Sequence, residues 1–386
     1  MRMDALSDQF SFQAAQVDAV PYPFKGGEKC EIRIENTLIL TGYLELVKIE
    51  GDSESHTISI SGRDITSDLV DSSITQLGEI VKGETITLVQ VIEAVLNHIK
   101  LSEYIKVEPT SIEIEDFKKG DDLLSPKPGV NAFKFLHKLA RTRQVFLTST
   151  PEGKIRIVRG DKTARSGGSI RHRVVDNSED VNNLLSYNMS YDESNLFYSY
   201  KNVAQSSANS WLVSKIEVNV KKLVNNTAGP VDSKAEPVID EDMKHRSGRQ
   251  MVSVMGASKS ANTSFNEAKW EANIRRARAR SFNCKVDGFY TGQGSLWSTN
   301  TLAKVTSDYA GIDADMLVSG LSFIFDSNLG TTTDLMFVEK DAYSLELDKR
   351  DLSLRKVALS FEPNEAARAL RLKKLQDRID NPGGGR

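Results

Sequence analysis

The residues best suited to chemistry in this chain are its five histidines, and their spacing argues against a metal site. None of them shows a metal-ligand spacing such as His-Glu-x-x-His, which places two imidazoles on one face of a helix. Two of the five fall in segments with a helical apolar period, which favours structural residues over ligands. We therefore expect no bound metal ion. The histidines are His56, His98, His137, His172 and His245.

Two groups of acidic residues could act in catalysis or cation binding. Glu113, Glu115 and Asp116 resemble the carboxylate pair of a glycosidase, but the glutamates alternate with isoleucines, which is typical of the solvated face of a strand. Asp313 and Asp315 lack the twelve-residue ligand pattern of a calcium loop, so a polar turn is favoured. No Gly-x-Ser-x-Gly nucleophile motif occurs. We expect no catalytic residue, no cofactor and no enzymatic activity.

Three glycines, Gly288, Gly292 and Gly294, superficially resemble a phosphate-binding loop. The third glycine of the Gly-x-Gly-x-x-Gly pattern is absent, and the segment lies between predicted strands instead of opening a helix. A turn is therefore the favoured interpretation.

The arginine-rich run 275–280 is the best candidate for nucleic-acid contact. Glu267 and Glu271 precede it, no aromatic residues interleave with it, and the chain has a net charge of −3. These features favour a solvated or intersubunit helix face. A DNA contact would require several copies of the patch around a shared channel.

The composition indicates an ordinary soluble protein with more than one core. The 386 residues suffice for two or three domains, and 39% hydrophobic with 27% charged residues is typical of globular chains. Cys30 and Cys284 lie far apart in strand-like runs, which argues against a disulfide framework. Without a signal peptide or an apolar span, we expect synthesis in the cytoplasm.

Alternation and turn residues predict strands at the start of the chain, after an arm or edge segment at 1–27. The strand-like runs are Cys30–Ile34, Thr37–Ile49 and Thr57–Ser61. A strand end, a tight turn at Gly62 and a short helical piece follow, and a pair between Arg63 and Asp64 could stabilise the turn.

An α+β region comes next. The apolar period predicts a helix over Thr85–Leu101, and Asn131 is a suitable N-cap for a second helix. Strand character is predicted for Glu108–Phe117 and for a hairpin formed by 144–148 and 154–158. The Gly-, Ser- and Arg-rich segment 161–173 is interpreted as a linker.

The second half returns to strands around one helix. Runs 183–203, 211–220 and 249–256 have strand character, and 223–249 is a long polar loop. Ser264 with Glu267 predicts a capping box at the start of the helix.

Four more strands follow this helix: 284–291, 301–306, 316–325 and 331–338. In the third, Leu317, Leu321, Phe323 and Phe325 are expected on one side. Their even spacing suggests a small barrel or sandwich. Trp297 is interpreted as a core residue, with an interface anchor as the alternative.

Short motifs in both halves carry a resemblance to a known family. They are Gly62-Arg63-Asp64 within Ser61–Ile74, then Gly288, Gly294 with Trp297, and Gly330–Thr333. As a set they resemble the Mu-type baseplate hub proteins of contractile-tailed phages, relatives of the T-even phage hubs and of the hub-like half of type VI secretion spike proteins. The likeness spans about residues 27–343.

The resemblance implies a β-rich α+β chain with two related small β-barrel modules and an α+β insertion. The expected domains are 1–74 (first barrel with its arm), 75–165 (insertion), 166–348 (second barrel) and 349–386 (tail). The tail is predicted to hold a helix with an apolar stripe including Leu370, Leu375 and Ile379, a possible partner-docking helix.

The resemblance also implies a structural role in the virion, in the tail baseplate. Three copies would form a homotrimeric ring with six similar positions, which adapts a hexameric tail tube to a trimeric central spike. Edge strands of both modules would pair between protomers. The implied partners are the central spike protein, the tail tube or tube-initiator protein, baseplate wedge proteins and the tape-measure protein, with no membrane and no specific nucleic acid.

Two alternatives remain at this point. The chain could be the hub of a phage-derived injection system, such as a tailocin or a secretion apparatus. It could also be a tail-associated glycan hydrolase, which a cluster of carboxylates in a cleft would favour.

Overall fold

A computed structural model describes residues 1–15, 24–52, 56–75, 84–118, 124, 126, 129–173, 182–204, 236–255, 261–328 and 330–343. The helices are α1 Ser67–Asp71, α2 Leu88–His98, α3 Ala132–Thr142 and α4 Ala261–Ala279, with a 3-10 helix at Glu241–Arg246. The strands are β1 Gln9–Ala15, β2 Lys29–Ile34, β3 Thr37–Gly51, β4 His56–Asp64, β5 Thr85–Ile86, β6 Phe117–Lys118, β7 Phe146–Ser149, β8 Ile155–Val158, β9 Arg165–His172, β10 Leu184–Tyr191, β11 Ser199–Ala204, β12 Val238–Ile239, β13 Gln250–Met255, β14 Arg280–Asp287, β15 Leu302–Ser307, β16 Ile312–Asp326 and β17 Gly330–Glu339.

The first sheet is antiparallel, with strand order β1-β4-β3-β2. Strands β2, β3 and β4 confirm the strands predicted for the start of the chain, and two of the three ladders join them. The segment predicted as an arm or edge contributes β1, which forms one edge of the sheet.

The two predicted helices of the middle region are confirmed as α2 and α3. Thr87 and Gln90 form a reciprocal capping box at the start of α2, and the side chain of Asn131 accepts from the backbone N–H of Lys134 at the start of α3. Both helices bury their apolar faces in one hydrophobic cluster, together with Leu69 of α1 and the predicted hairpin, which is confirmed as β7–β8.

Two predictions for this part of the chain were wrong. Residues 108–116 form no strand, although their burial still alternates, with Glu113 and Glu115 exposed between half-buried isoleucines. Segment 161–173 is not a linker, because β9 lies within it and pairs in parallel with β15. Glycine and arginine content obscured this strand, whose buried residue Ile170 reaches the core.

The second sheet has six strands in the order β10-β14-β17-β16-β15-β9. The predicted strands of this block are confirmed, but the expected common face of β16 was wrong. A register shift between Val318 and Gly320 reverses the alternation. Leu317 therefore faces α4, while Leu321 lies on the opposite side with Phe323, and Phe325 is exposed.

Helix α4 covers one face of the second sheet. Trp270, Ile274 and Ala277 pack against Leu302, Leu317 and Val338, and Trp270 is fully buried. The predicted capping box was wrong because the helix begins at Ala261, three residues earlier than Ser264. Ser264 and Glu267 thus lie inside the helix.

A small sheet with order β12-β11-β13 packs on the other side of α4 through Tyr200, Val238 and Ala268. It confirms strands predicted within 183–203 and 249–256. The predicted strand 211–220 lies outside the described residues, as does the part 223–235 of the 223–249 loop. The remaining part of that loop contains β12 and the 3-10 helix.

The β-rich α+β class is confirmed, but the described residues form open sheets and no closed barrel. Strands β9 and β10 form no ladder with each other; they approach where the side chain of Asn183 bonds to the backbone of Ser169 and Arg171 and where the rings of His172 and Tyr187 meet. The boundaries of the four predicted domains stay predictions. Within the described ranges, no helix combines the length and hydropathy needed to cross a membrane.

Candidate assembly interface

One face of the first sheet is apolar over its whole length, and we call it the apolar face. The ladder registers bring alternate residues of β1, β4 and β3 to this side, while Gln, Ser, Thr and Arg residues take the other side. A register shift between Leu44 and Leu46 keeps β3 in phase with this pattern. The apolar face consists of Phe10, Phe12, Ala14, Leu44, Val47, Ile49, Ile58 and Ile60.

Much of the apolar face is open to solvent. The side chain of Phe12 is 51% exposed, and Ile49 is exposed as well. A groove of about 700 Å³ separates the β1 side of the sheet from the end of β16, where Phe325 is 76% exposed. Apolar surface on this scale is typical of a protein contact site.

The first residues of the chain fix the first sheet beside the second. The backbone N–H of Met3 donates to the carbonyl of Ser319 at 2.9 Å, and that of Leu321 donates to the carbonyl of Met1 at 2.9 Å. The backbone N–H of Asp8 donates to the Asp64 carboxylate at 3.1 Å. Burial raises the pKa of the Asp8 carboxyl. The groove is therefore held between two sheets that are linked by backbone hydrogen bonds.

A second exposed surface lies at the β10 edge of the second sheet. Leu185 is 58% exposed, and Tyr187 and Tyr191 are exposed too. The Tyr187 ring lies 4.8 Å from that of His172, and the Tyr191 hydroxyl donates to the carbonyl of Ala310 at 3.1 Å. The tyrosines are thus fixed in place although they face solvent.

The structure around Gly62 differs from the predicted tight turn with a pair between Arg63 and Asp64. Gly62 is a strand residue of β4 and makes no turn; a Cβ there would lie 2.0 Å from the carbonyl oxygen of Tyr43. Arg63 does not pair with Asp64. It binds the carboxylates of Glu45 and Asp71, and these hydrogen bonds raise the pKa of its guanidinium.

Asp64 is buried, and it stabilises the chain after β4. Its carboxylate accepts from the Thr66 hydroxyl at 2.8 Å, and it also binds the backbone of Asp8. The actual turn, at Ile65 and Thr66, leads directly into α1.

The second predicted motif lies in a compact turn beside the second sheet. Gly288 and Gly294 have φ values of +73° and +81°, which favour glycine. Trp297 is 5% exposed and packs so closely on Gly168 that a Cβ there would lie 2.2 Å from the indole ring. It is therefore buried within one chain.

The arginine run is engaged in ion pairs inside the chain. Arg276 is largely buried and binds Asp240 with two hydrogen bonds, of 2.9 and 2.6 Å. The prediction was a solvated or intersubunit helix face; Arg276 instead packs within the chain, whereas Arg278 is exposed. The other pairs are Arg275 with Glu271, Arg278 with Asp4 and Arg280 with Glu339.

The candidate catalytic and metal-binding residues are dispersed. Asp313 pairs with Lys304 and Asp315 with Arg165 on the surface of the second sheet. His137 lies beside Phe133, and burial lowers its pKa. In the described ranges no three His, Cys, Asp or Glu side chains come together as a metal site would require. The docking-helix residues Leu370, Leu375 and Ile379 lie outside the described residues.

Sequence reasoning missed the apolar face. The alternation of Phe10 and Phe12 with glutamine and serine was a usable signal, but we interpreted 1–27 as an arm or edge segment. The shift at Leu44/Leu46 concealed the face in β3, because it breaks the period-2 pattern.

The whole first sheet and the last four strands of the second sheet, β14–β17, lie in segments that match known protein domains. Residues 1–64 match the family model described as Mu phage baseplate assembly protein GpP-like, N-terminal, and residues 260–346 match Mu phage baseplate assembly protein GpP, fourth domain. The resemblance to Mu-type baseplate hub proteins is confirmed. The segment that matches the N-terminal domain model contains the apolar face, and the segment that matches the fourth-domain model contains α4 and strands β14–β17.

Comparison with whole proteins agrees with the hub-domain matches. The chain is 21% identical over 329 residues to baseplate hub protein gp44 of Escherichia phage Mu, covering 83% of this chain and 78% of that protein. The 43 kDa tail protein of prophage MuSo2 from Shewanella oneidensis shares the fold, with a TM-score of 0.65, 23% identity and coverage of 88% and 92%. A tail protein from Neisseria meningitidis MC58 does so with a TM-score of 0.67, 20% identity and coverage of 89% and 91%.

Proposed function

We propose that this chain is a structural baseplate hub of a contractile phage tail. The observation that carries the proposal is that two segments of one chain, 1–64 and 260–346, match two domains of Mu phage baseplate assembly proteins. The similarity to the hub protein of phage Mu along most of both chains supports it. This role needs no catalytic residue and no cofactor.

The proposed working form is a homotrimeric ring. Two hub domains per chain give six positions in a trimer, so one face of the ring matches a hexameric tail tube and the other a trimeric central spike. The exposed apolar face and the β10 edge support association, because a soluble chain seldom leaves surfaces of this kind uncovered.

The proposed partners are the central spike protein, the tail tube or tube-initiator protein, baseplate wedge proteins and the tape-measure protein. The ring would lie in the tail baseplate of the virion, after synthesis in the host cytoplasm. The 352–386 tail, with Leu370, Leu375 and Ile379, is proposed to dock the spike or a wedge protein. A chain lacking 352–386 should still form the ring but recruit less of that partner, and unchanged recruitment would contradict the docking role.

Light scattering over a range of concentrations tests the ring. We expect a mass of three times 42.8 kDa for the chain alone. If the ring closes only on its neighbours, a complex that contains three copies of the chain should form after the purified tube and spike proteins are added. The matched measurement is the mass of the tube and spike proteins mixed without the hub. A chain that stays monomeric in the presence of both partners would contradict the adaptor function.

A further inference from the structure

The two sheets have four edge strands, and their charge differs sharply. Strand β1 reads QFSFQAA and strand β10 reads LLSYNMSY, without a single charged residue. Strand β2 reads KCEIRI, and strand β9 reads RSGGSIRH. In each sheet, therefore, one edge is charged and the other is uncharged.

Charged residues, bulges and covering groups normally protect edge strands from pairing with other chains. The charged edges have these devices. β2 contains a register shift between Ile32 and Arg33, and the backbone of β9 is bonded by the side chain of Asn183. β1 has no register shift, and β10 has one only at its start, between Leu184 and Ser186. Contacts of Asn183 and Tyr187 with β9 cover only the start of β10, so within the described residues β1 and the rest of β10 show none of these devices.

The uncharged edges also match each other in length and pattern. β1 has seven residues and β10 has eight. In β1, Phe10, Phe12 and Ala14 share one face, opposite a row of glutamine and serine. In β10, Tyr187, Met189 and Tyr191 share one face, opposite Ser186, Asn188 and Ser190. Pairing would align apolar with apolar and polar with polar rows.

We propose that the β10 edge of one copy pairs with the β1 edge of the next copy around the ring. This inference rests on the proposed hub function and specifies its intersubunit contact. A second copy is the partner that fits, because each chain carries both matching edges once, as a closed head-to-tail ring requires. Within one chain the two strands belong to separate sheets, and Gln9 and Asn188 border a groove of about 690 Å³.

The pairing would also cover the apolar face. A strand added beside β1 places its tyrosine row next to Phe10 and Phe12, and the sheet of the hub domain gains a fifth strand. Backbone hydrogen bonds would supply affinity, and the alternating side chains would fix the register.

Charge insertion tests the pairing. Gln13→Glu in β1 and Asn188→Glu in β10 should each lower the mass measured by light scattering about three-fold, from trimer to monomer. Ser169→Glu on the charged β9 edge is the matched control and should leave the trimer intact. Circular dichroism and thermal unfolding would show that all three variants remain folded. A trimer that survives both edge variants, or dissociates only with the control, would overturn the inference.

Disulfide trapping gives a second, independent test in a Cys30→Ser background. A Ser11→Cys chain and a differently tagged Asn188→Cys or Ser190→Cys chain are mixed and oxidised, and we expect a covalent pair of unlike chains. Ser169→Cys in place of the β10 cysteine should give none. A third chain carries both Ser11→Cys and Asn188→Cys. If it forms the disulfide within itself while the mixed single-cysteine chains form none, the pairing lies inside the protomer and the proposal is overturned.

Different results would contradict the hub ring and the pairing of β10 with β1. A wild-type chain that is monomeric with tube and spike proteins present contradicts the hub ring itself. A trimeric wild type whose edge variants also remain trimeric, but lose binding to the spike or tube, assigns the edges to those partners. That result overturns only the copy-to-copy pairing.

Discussion

The first and second sheets bury their apolar residues in different ways. The second sheet is covered on both sides near its centre, since Val318 faces one hydrophobic cluster and Leu317 faces α4. The first sheet leaves Phe12 and Ile49 exposed on its apolar face. The second sheet is therefore stable within its own chain, whereas the apolar face of the first sheet is suited to a partner.

The largest effect that separates the two sheets is expected from Trp270→Ala in α4. Trp270 is fully buried over the second sheet, 4.8 Å from Phe146 between ring centres, so its loss should cost about 3–5 kcal/mol of unfolding free energy. Phe12→Ala on the first sheet is the matched variant and should cost less than about 1 kcal/mol in the monomer. Chemical denaturation measures both, and equal losses would contradict the comparison.

The next effect concerns close backbone contact within the first sheet. Gly62→Ala places a Cβ 2.0 Å from the carbonyl oxygen of Tyr43, so the strands must move apart, at a cost of about 1–3 kcal/mol. At Gly292 a Cβ meets nothing within 4 Å, and Gly292→Ala should change stability by less than about 0.5 kcal/mol. A Gly62→Ala protein as stable as Gly292→Ala would show that the first sheet adapts more easily than its ladder indicates.

A smaller, pH-dependent effect is expected on the covered side of the second sheet. Burial raises the pKa of Glu267, whose Oε2 has no hydrogen-bond partner. Since the folded pKa exceeds the unfolded one, stability is greatest below the unfolded pKa and falls as the pH rises toward the folded pKa. Glu267→Gln should remove this loss and raise the unfolding free energy at pH 7 by about 1 kcal/mol.

The measurement is denaturant unfolding of both proteins at pH 4.5 and pH 7.5. Glu113→Gln is the control for the loss of one carboxylate, because Glu113 is exposed. A Glu267→Gln difference that is the same at both pH values would contradict the assigned role of the buried carboxyl.

The smallest expected effect concerns the reactivity of the two cysteine thiols, one in each sheet. Burial raises the pKa of Cys284 in the second sheet to about 12, whereas Cys30 lies half-buried at the β2 edge of the first. A thiol reagent at pH 8 should modify Cys30 in the folded protein and Cys284 only after denaturation. Mass spectrometry of the labelled peptides measures this, and equal labelling rates would indicate that the second sheet opens as readily as the first.

Local patterns predicted elements well where a single face had to be buried. Asn131 caps α3 as predicted, α2 lies within the predicted segment 85–101, and most of the paired strands of 28–64 and 280–339 lie close to their predicted positions. Predictions were wrong where tertiary contacts override the local pattern. Segment 108–116 alternates without a partner strand, and glycine-rich β9 is a strand because β15 pairs with it.

The amino-acid sequence by itself determined most of the helices and strands, the absence of charge from β1 and β10, and the motifs that carry the resemblance to Mu-type baseplate hub proteins. The tertiary structure decided which residues share a face, because register shifts at Leu44/Leu46 and Val318/Gly320 reverse the alternation. It also decided that Arg63 pairs with Glu45 and Asp71, since only the folded sheet brings these carboxylates to it. Side-chain alternation is a local property of the chain, whereas register and ion pairing depend on strands that are distant in sequence.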